Sequence, residues 1–348
     1  MRLRVIPEGW LERIAFRLGL VPIPVLESTG GALLARAILA GVQAGLFEDL
    51  ARHGPSEPDE IATRLRLSPG GTRALLAALR SSGYLVLHRA ARYGNAPLAT
   101  RWLVSDRPDS AVPYLRFMID QWGWITRTEE ILASGRPIDI HSAGQDPAYW
   151  QRYMEALAAI ARSSAPDIVR AIPMPRAPRR LLDVAGGHGV FSAAACRLHP
   201  QLTAEILDLE DPARAGRVLV EREGMAERVR YRTGDLRTTS WGEGYDAILY
   251  FNIAHHLDER ENRDAFARAR AALVPGGVFA LWDFEAQEDA RGSSQIGGLM
   301  SLFFFLTSGR SAHPQRSLRD WLAGAGFRDI RSRRIRKAPF GFLLTGRA

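Results

Sequence analysis

The spacing of hydrophobic and polar positions changes along the chain near residues 172–180. Before this stretch, apolar residues recur at helical intervals, as on the N-terminal face formed by Trp10, Leu11, Ile14 and Leu18. After it, short apolar runs alternate with helical segments. The three prolines of "IPMPRAPRR" stop any helix, so we predict extended chain and a hinge there.

The second half of the chain has the pattern of an α/β domain. Its central strands are continuous apolar runs, as strands buried on both faces of a parallel sheet require. Helical segments between them imply right-handed crossovers and a Rossmann-like, doubly wound, seven-stranded sheet. The last two strands follow each other without a helix, which predicts an antiparallel edge pair. The predicted strands are 179–185, 203–209, 228–235, 245–252, 278–284, "FRDIRSRRIR" and "GFLLTGR".

The first half predicts an all-helical segment followed by a winged helix. A helix pair breaks near Gly41 or Gly45, and a helix-turn-helix follows with Ser68 and Pro69 as N-cap and first residue of its second helix. The strand "YLVLH" and a return strand through Tyr93 complete the motif.

A winged helix raises the alternative of a DNA-binding regulator. A recognition helix presents several Arg, Lys, Asn or Gln side chains to the groove. The second helix here offers only Arg73 and Arg80 among small and aliphatic residues. We therefore favour a packing or dimerisation module and expect no nucleic-acid partner.

Residues 112–169 are helical and rich in aromatic side chains. Most of them are expected in a core, but aromatic residues and Met also suit the wall of an apolar pocket. The sequence does not separate these roles for Trp122, Trp124, Tyr149, Trp150, Tyr153 and Met154.

The segment "LLDVAGGHGVFSAAAC" places a carboxylate and a glycine-rich turn after the first strand of the sheet. Ligands of such sheets bind at the carboxyl ends of the strands, where glycines allow close approach. Asp208 and Asp235 end the next two strands, so three acids are expected at one edge. A nicotinamide-dependent oxidoreductase is disfavoured because Ser192 stands at the third position of the dinucleotide fingerprint.

This combination resembles the class I S-adenosylmethionine-dependent methyltransferases. The winged helix, helical linker and C-terminal sheet together resemble the dimeric small-molecule O-methyltransferases of plant phenylpropanoid, acetylserotonin and bacterial natural-product metabolism. The family motif DxGGGxG reads "DVAGGHG" here, with Ala185 in place of the first glycine.

The resemblance implies a cofactor, a partner and a set of site residues. It implies S-adenosyl-L-methionine, a homodimer, and a division into 1–110 (dimerisation), 111–175 (linker contributing to the pocket) and 176–348 (cofactor-binding domain). The cofactor residues are Asp183, Gly186, Gly187, Gly189, Asp208, Leu209, Asp235, Leu236 and Asn252. We assign no metal. We assign Trp122, Met154, Phe303 and His313 to the substrate pocket.

The catalytic base of the family aligns with His255 in "NIAHHLDEREN", and His256 follows it. Asp283, with Glu285 as a nearby substitute, aligns with the acid that orients the base. Asp258 is a plausible N-cap of the next helix, with Glu261 as its capping-box partner.

Two departures from the family pattern leave the acceptor atom open. Phe251 replaces a lysine that is common in plant members, and "SGRSAHPQRSL" lacks their further glutamate and offers His313 and Arg310. We expect transfer to a hydroxyl of an aromatic or polyketide-like molecule. Alternatives are C- or N-methylation and a member that keeps the cofactor for other chemistry.

Charge and cysteine content change this interpretation little. The net charge is +8, but the arginines are scattered and only "RSRRIRK" forms a cluster. The single cysteine, Cys196, fits a packed thiol in a reducing compartment. We find no apolar segment of membrane-spanning length or secretory signal by inspection, and expect a cytoplasmic enzyme of secondary metabolism.

Overall fold

A computed structural model describes residues 4–141, 146–284, 286 and 294–348, apart from the side chain of Phe340. The chain divides into two compact units between Ile119 and Asp120. This division falls inside one helix, Val112–Ile125. The division at 110 and 175 stays a prediction.

The first unit contains helices and one two-stranded sheet. In chain order its elements are α1 (Trp10–Arg17), α2 (Ile23–Val25), a π-helical turn (Leu26–Gly30), α3 (Gly31–Gln43), α4 (Leu46–His53), α5 (Pro58–Leu65), α6 (Pro69–Ser81), β1 (Leu85–Leu87), β2 (Tyr93–Asn95), α7 (Pro97–Trp102) and the start of α8 (Val112–Ile125).

Local sequence explains the boundaries of these elements. The break between α3 and α4 falls at Gly45, whose φ of 72° is a left-handed conformation that glycine adopts freely. The side chain of Ser68 caps α6 by accepting a hydrogen bond from the Gly71 amide at 3.1 Å. Helices α5 and α6 are followed by the antiparallel β1–β2 hairpin, and the assignment of these elements as a winged helix stays a prediction. On α6, Arg73 is ion-paired with Asp59 of α5 at 2.7 Å.

The structure contains one helical stretch of membrane-spanning length that the sequence analysis did not predict. Ile23–Gln43 is 21 residues long and apolar enough to cross a membrane by length and composition. Core helices of other proteins pass the same test, and here Leu39 and Val42 at its C-terminal end are buried in the unit. Length and composition alone therefore do not identify it as a span.

The second unit is built on a seven-stranded sheet with the order β5-β4-β3-β6-β7-β9-β8. Its helices are α9 (Thr128–Ser134), α10 (Pro147–Arg162), α11 (Ala165–Arg170), α12 (Val190–Leu198), α13 (Glu210–Arg222), α14 (Glu259–Ala272), α15 (Gln295–Ser308) and α16 (Gln315–Gly324). Its strands are β3 (Arg180–Val184), β4 (Thr203–Asp208), β5 (Val229–Thr233), β6 (Tyr245–Phe251), β7 (Leu273–Phe284), β8 (Arg328–Ile335) and β9 (Ala338–Arg347).

The α/β fold class with a largely parallel sheet is confirmed, and the edge pair has a specific order. Strand β9 lies between β7 and β8 and is antiparallel to both. Strand β8 therefore runs in the same direction as the parallel strands, and only β9 is reversed.

Helices of the predicted linker pack on the cofactor domain. Helix α10 contacts α13 and α12, and α11 contacts α12. Ala156, Ala158 and Ala159 of α10 are buried, and their small side chains permit other elements to pack closely against this helix. The thiol of Cys196 on α12 is buried, as predicted, and burial raises its pKa to about 11.

Candidate active site

The carboxyl ends of β3 to β7 meet at one edge of the sheet because these strands are parallel. Strand order reverses between β3 and β6, which makes this the topological switch point. Asp183, Asp208 and Asp235 lie at or just after the ends of β3, β4 and β5, so the structure brings the three acids to one edge.

The turn after β3 folds between two carboxylates. Ala185 has a φ of 55°, a left-handed conformation that costs a residue with a Cβ about 1 kcal/mol. A Cβ on Gly186 would lie 2.5 Å from Asp183 Cγ, and one on Gly189 would lie 2.5 Å from Val220 Cγ2. Only glycine fits at these two positions, whereas Ala185 occupies the first place of the motif under strain.

Asp183 is a buried acid with one unsatisfied oxygen. Its Oδ2 accepts a hydrogen bond from Ser192 Oγ at 2.7 Å, while Oδ1 is buried and has no hydrogen-bond partner among the described residues. Burial raises the pKa of Asp183 to about 7, with a further contribution from the charge of Asp208 and opposition from the Ser192 hydrogen bond. A cationic or hydrogen-bond-donating group of a ligand would satisfy Oδ1.

Asp208 connects its strand end to the glycine turn. Its Oδ2 accepts from the Gly187 amide at 2.8 Å, and its Oδ1 accepts from the Leu209 amide at 2.7 Å. Burial raises the pKa of Asp208 to about 6, although both amides favour the ionised form. Each carboxylate oxygen keeps a second lone pair that can accept from a hydroxyl.

Asp235 is more exposed than the other two acids. Arg237 binds both of its oxygens and lowers the pKa of the carboxyl group. Leu236 beside it is partly buried against the core. Asn252 follows β6 with a φ of 55°, and its backbone amide donates to the Trp282 carbonyl at 2.7 Å.

His255 lies in a short 3₁₀ turn after β6, and the side chains of Asp283 and Phe304 contact its ring. Its Nδ1 is 2.6 Å from Asp283 Oδ1, and its backbone amide donates to Asp283 Oδ2 at 3.3 Å. The Phe304 ring is stacked on the imidazole, with centroids 3.7 Å apart and planes 12° apart. Both His255 and Asp283 are buried. Because a carboxylate only accepts, Nδ1 carries the proton and Nε2 has the free lone pair.

His256 belongs to a second group of rings. Its centroid is 4.2 Å from that of His255 and 4.5 Å from that of His141, which it meets edge to face. Burial and both neighbouring histidines lower the pKa of His256 well below its usual value. Its Nδ1 is buried, and no residue in the described part of the chain forms a hydrogen bond with it.

The turn that carries His255 and His256, residues 252–258 (the histidine turn), is held in place by residues that the sequence did not reveal. Asn262 of α14 donates to the carbonyls of Ala254 and Leu257, at 3.0 and 3.2 Å, and accepts from Tyr250 Oη at 3.0 Å. Buried polar positions within a helical pattern give no signal of such partners. Asp258 caps α14 with Glu261 as predicted.

His313 also contacts this turn. Its Nε2 lies 2.8 Å from the Leu257 carbonyl and 3.1 Å from the Ala254 carbonyl, and therefore carries a proton. We assigned His313 to the substrate pocket from the sequence. In the structure, His313 Nε2 donates to the backbone carbonyls of Leu257 and Ala254.

The other predicted pocket residues lie on three helices. Met154 of α10 is buried beside the glycine turn, where a Cβ on Gly187 would lie 3.1 Å from its Sδ. Trp122 of α8 and Phe303 of α15 are partly buried. Phe304, not Phe303, contacts His255. Glu285, the alternative partner of the base, lies outside the described residues.

Two family models match the chain. Residues 132–328 match an O-methyltransferase domain, which is more than half of the chain. The chain belongs to the O-methyltransferase family. Residues 26–105 match an O-methyltransferase dimerisation domain.

Named relatives cover almost the whole chain. It is 27% identical over 324 residues to 3-hydroxy-5-methyl-1-naphthoate 3-O-methyltransferase of Streptomyces sahachiroi, covering 90% of this chain and 92% of that protein. It is 25% identical over 347 residues to acetylserotonin O-methyltransferase of Mus musculus, covering 93% and 88%. The fold resembles human N-acetylserotonin methyltransferase in complex with its cofactor SAM, with a TM-score of 0.83, 18% identity and 99% of both chains covered.

This O-methyltransferase uses S-adenosyl-L-methionine and acts on small molecules. The residues at the sheet edge fit the cofactor, since Asp183 Oδ1 has no donor among the described residues and Gly186 and Gly187 place no Cβ against the carboxylates of Asp183 and Asp208. Among the described residues, no group of three or more His, Cys, Asp or Glu side chains could hold a metal ion.

Proposed function

We propose that this O-methyltransferase methylates a hydroxyl group of a small aromatic molecule with His255 as the general base. The observation that carries the proposal is the 2.6 Å contact between His255 Nδ1 and Asp283 Oδ1. This contact keeps the proton on Nδ1 and leaves Nε2 free to take a proton from the acceptor.

The cofactor supplies an electrophilic methyl group on a sulfonium. The protein must align the acceptor oxygen and exclude water, and burial of the His255–Asp283 pair supports the second task. The stacked ring of Phe304 limits the rotation of the imidazole. An acceptor hydroxyl becomes a better nucleophile as its proton moves to His255.

The edge acids have separate proposed roles in holding the cofactor. Asp183 faces its ammonium group, Asp208 accepts from the ribose hydroxyls, and Asp235 accepts from the adenine amine. The glycines of the turn and the neighbours Leu209, Leu236 and Asn252 complete this site. The chemistry of the donors supports the assignment, because all these ligand groups donate hydrogen bonds.

We also propose that the enzyme is a cytoplasmic homodimer of secondary metabolism. The dimerisation-domain match over residues 26–105 supports the dimer. The buried free thiol of Cys196 is compatible with a reducing compartment.

Methyl transfer to a panel of phenols, naphthols and hydroxylated polyketides tests the function. Mass spectrometry and NMR of the product identify the acceptor atom, so that C- or N-methylation would contradict the proposal. In His255→Ala we expect kcat to fall at least a hundredfold because the general base is lost.

Calorimetry with S-adenosylhomocysteine provides the control for this variant. Its affinity should stay within about twofold of the wild type, because His255 is not a cofactor ligand in the proposal. His53→Ala, which changes a histidine of α4 outside the proposed site, should keep full activity. An unchanged kcat in His255→Ala would remove the histidine from the reaction.

A further inference from the structure

Two buried polar atoms near the proposed base have no hydrogen-bond partner in the described structure. They are Nε1 of Trp150 and Nδ1 of His256. An unsatisfied buried polar atom destabilises the folded protein, and native proteins leave few of them. Neither atom therefore has a partner among the residues that the structure describes, and a ligand group could supply one.

The two side chains flank a third ring. The His141 centroid lies 4.5 Å from that of His256 and 6.3 Å from that of Trp150. His141 Nε2 is 3.2 Å from Tyr153 Oη. The ring centroid of His256 is also 4.2 Å from that of His255. Trp150, His141 and His256 therefore form one cluster of rings with His255, the proposed base.

This cluster offers hydrogen bonds without positive charge. Burial lowers the pKa of His141 to about 4 and holds the pKa of His256 well below its usual value. Both imidazoles are therefore neutral at pH 7. A carboxylate bound here would find no cationic imidazole in His141 or His256, whereas a neutral oxygen loses little on leaving water if it is hydrogen-bonded.

We propose that Trp150 and His256 form a polar subsite for a neutral oxygen substituent, a hydroxyl or a carbonyl, that the aromatic acceptor carries beside its reacting hydroxyl. The indole N–H can only donate, and Nδ1 of His256 donates to a carbonyl or accepts from a hydroxyl according to its tautomer. The inference rests on the proposed function, since it assumes that the acceptor lies beside His255.

Equilibrium binding of three matched acceptors to the protein loaded with S-adenosylhomocysteine tests the subsite. The acceptors are a vicinal dihydroxynaphthalene, the naphthol that lacks its second hydroxyl, and the hydroxynaphthoate with a carboxylate in that place. We expect the dihydroxynaphthalene to bind roughly tenfold more tightly than the naphthol, and the hydroxynaphthoate no more tightly than the naphthol.

Variants connect this preference to the two side chains. In Trp150→Phe and in His256→Phe the ratio between dihydroxynaphthalene and naphthol should fall to within about threefold. Trp102→Phe, which removes an indole from the first unit, should keep the wild-type ratio. Unchanged affinity for S-adenosylhomocysteine verifies folding, and either site variant suffices if the other does not fold.

The outcomes separate the subsite from the proposed function. A wild-type ratio in both site variants, tightest binding of the hydroxynaphthoate, or no binding of any acceptor overturns the subsite. A binding preference that disappears in the variants supports it, even if no methyl is transferred and the proposed function fails. Methyl transfer without a preference leaves the function standing and overturns the subsite.

Discussion

The carboxyl group of Asp183, the acid proposed to bind the cofactor, makes the stability of the ligand-free protein depend on pH. Burial favours the neutral form of this side chain in the ligand-free protein, although the hydrogen bond from Ser192 opposes it. Burial raises its pKa from 3.8 to about 7. The unfolded chain releases this proton near pH 4, whereas the folded protein keeps it until about pH 7. The folded state therefore loses stability as the pH rises through this interval.

The Asp183→Asn variant should remove this dependence. In the absence of cofactor, its free energy of unfolding relative to the wild type should rise by roughly 2 kcal/mol between pH 5 and pH 8. Urea unfolding at the two pH values measures the change. Asp264→Asn removes the same charge from an exposed position. An equal rise in this control, or no rise in Asp183→Asn, would contradict the assignment.

At the scale of elements, the position of His255, the proposed base, depends on how the turn after β6 is held. The turn, residues 252–258, contains backbone carbonyls that accept hydrogen bonds from Asn262 of α14 and from His313 before α16. His313 also packs edge to face against Trp321, with centroids 5.1 Å apart. One partner of the turn thus lies on the helix that follows it and the other lies more than fifty residues further along the chain. We propose that His313 is a positioning residue for His255.

The His313→Phe variant keeps the aromatic contact and removes the N–H group. We expect kcat to fall roughly tenfold, with KM for the acceptor and affinity for S-adenosylhomocysteine within about twofold of the wild type. The free energy of unfolding should fall by about 1–2 kcal/mol. Steady-state kinetics and calorimetry measure these quantities. A purely structural role predicts lower stability with kcat unchanged.

At the scale of the whole molecule, the N-terminal unit exposes apolar side chains that a partner subunit would cover. Leu33 of α3 is 67% exposed, and Val25, Leu26 and Leu34 around it are also exposed. Most of this surface lies in the segment that matches the dimerisation domain, which begins at residue 26. Burial of such side chains is the main source of free energy in stable dimers.

The Leu33→Asp variant should weaken the expected homodimer by introducing a charge on this surface. We expect its dissociation constant, measured by sedimentation equilibrium, to rise at least tenfold. Gln43→Asp places the same charge on an exposed polar position of the same helix and should leave the dimer intact. A monomeric wild type, or equal effects of the two variants, would contradict this interface.

Local pattern determined much of the fold. Apolar runs predicted the central strands to within two residues at each end, except that β7 begins at Leu273, five residues before the predicted start. Gly45, Ser68 and Asp258 marked helix boundaries that the structure contains. These features are readable because each depends on neighbours a few positions away. The order of acids at strand ends followed as well, since parallel strands bring their carboxyl ends to one edge.

Only the tertiary structure decided the contacts between distant segments. Helix α15 is apolar on all sides, so its sequence does not distinguish Phe303 from Phe304, and packing alone selects Phe304 for the His255 ring. Long-range pairing also places β9 between β7 and β8. It likewise brings His313 Nε2 to the Leu257 carbonyl in the turn that carries His255. The chain itself specifies which side chains are present and where its elements begin, but burial, which sets the pKa of Asp183 and leaves Trp150 Nε1 unsatisfied, exists only once those elements are packed together.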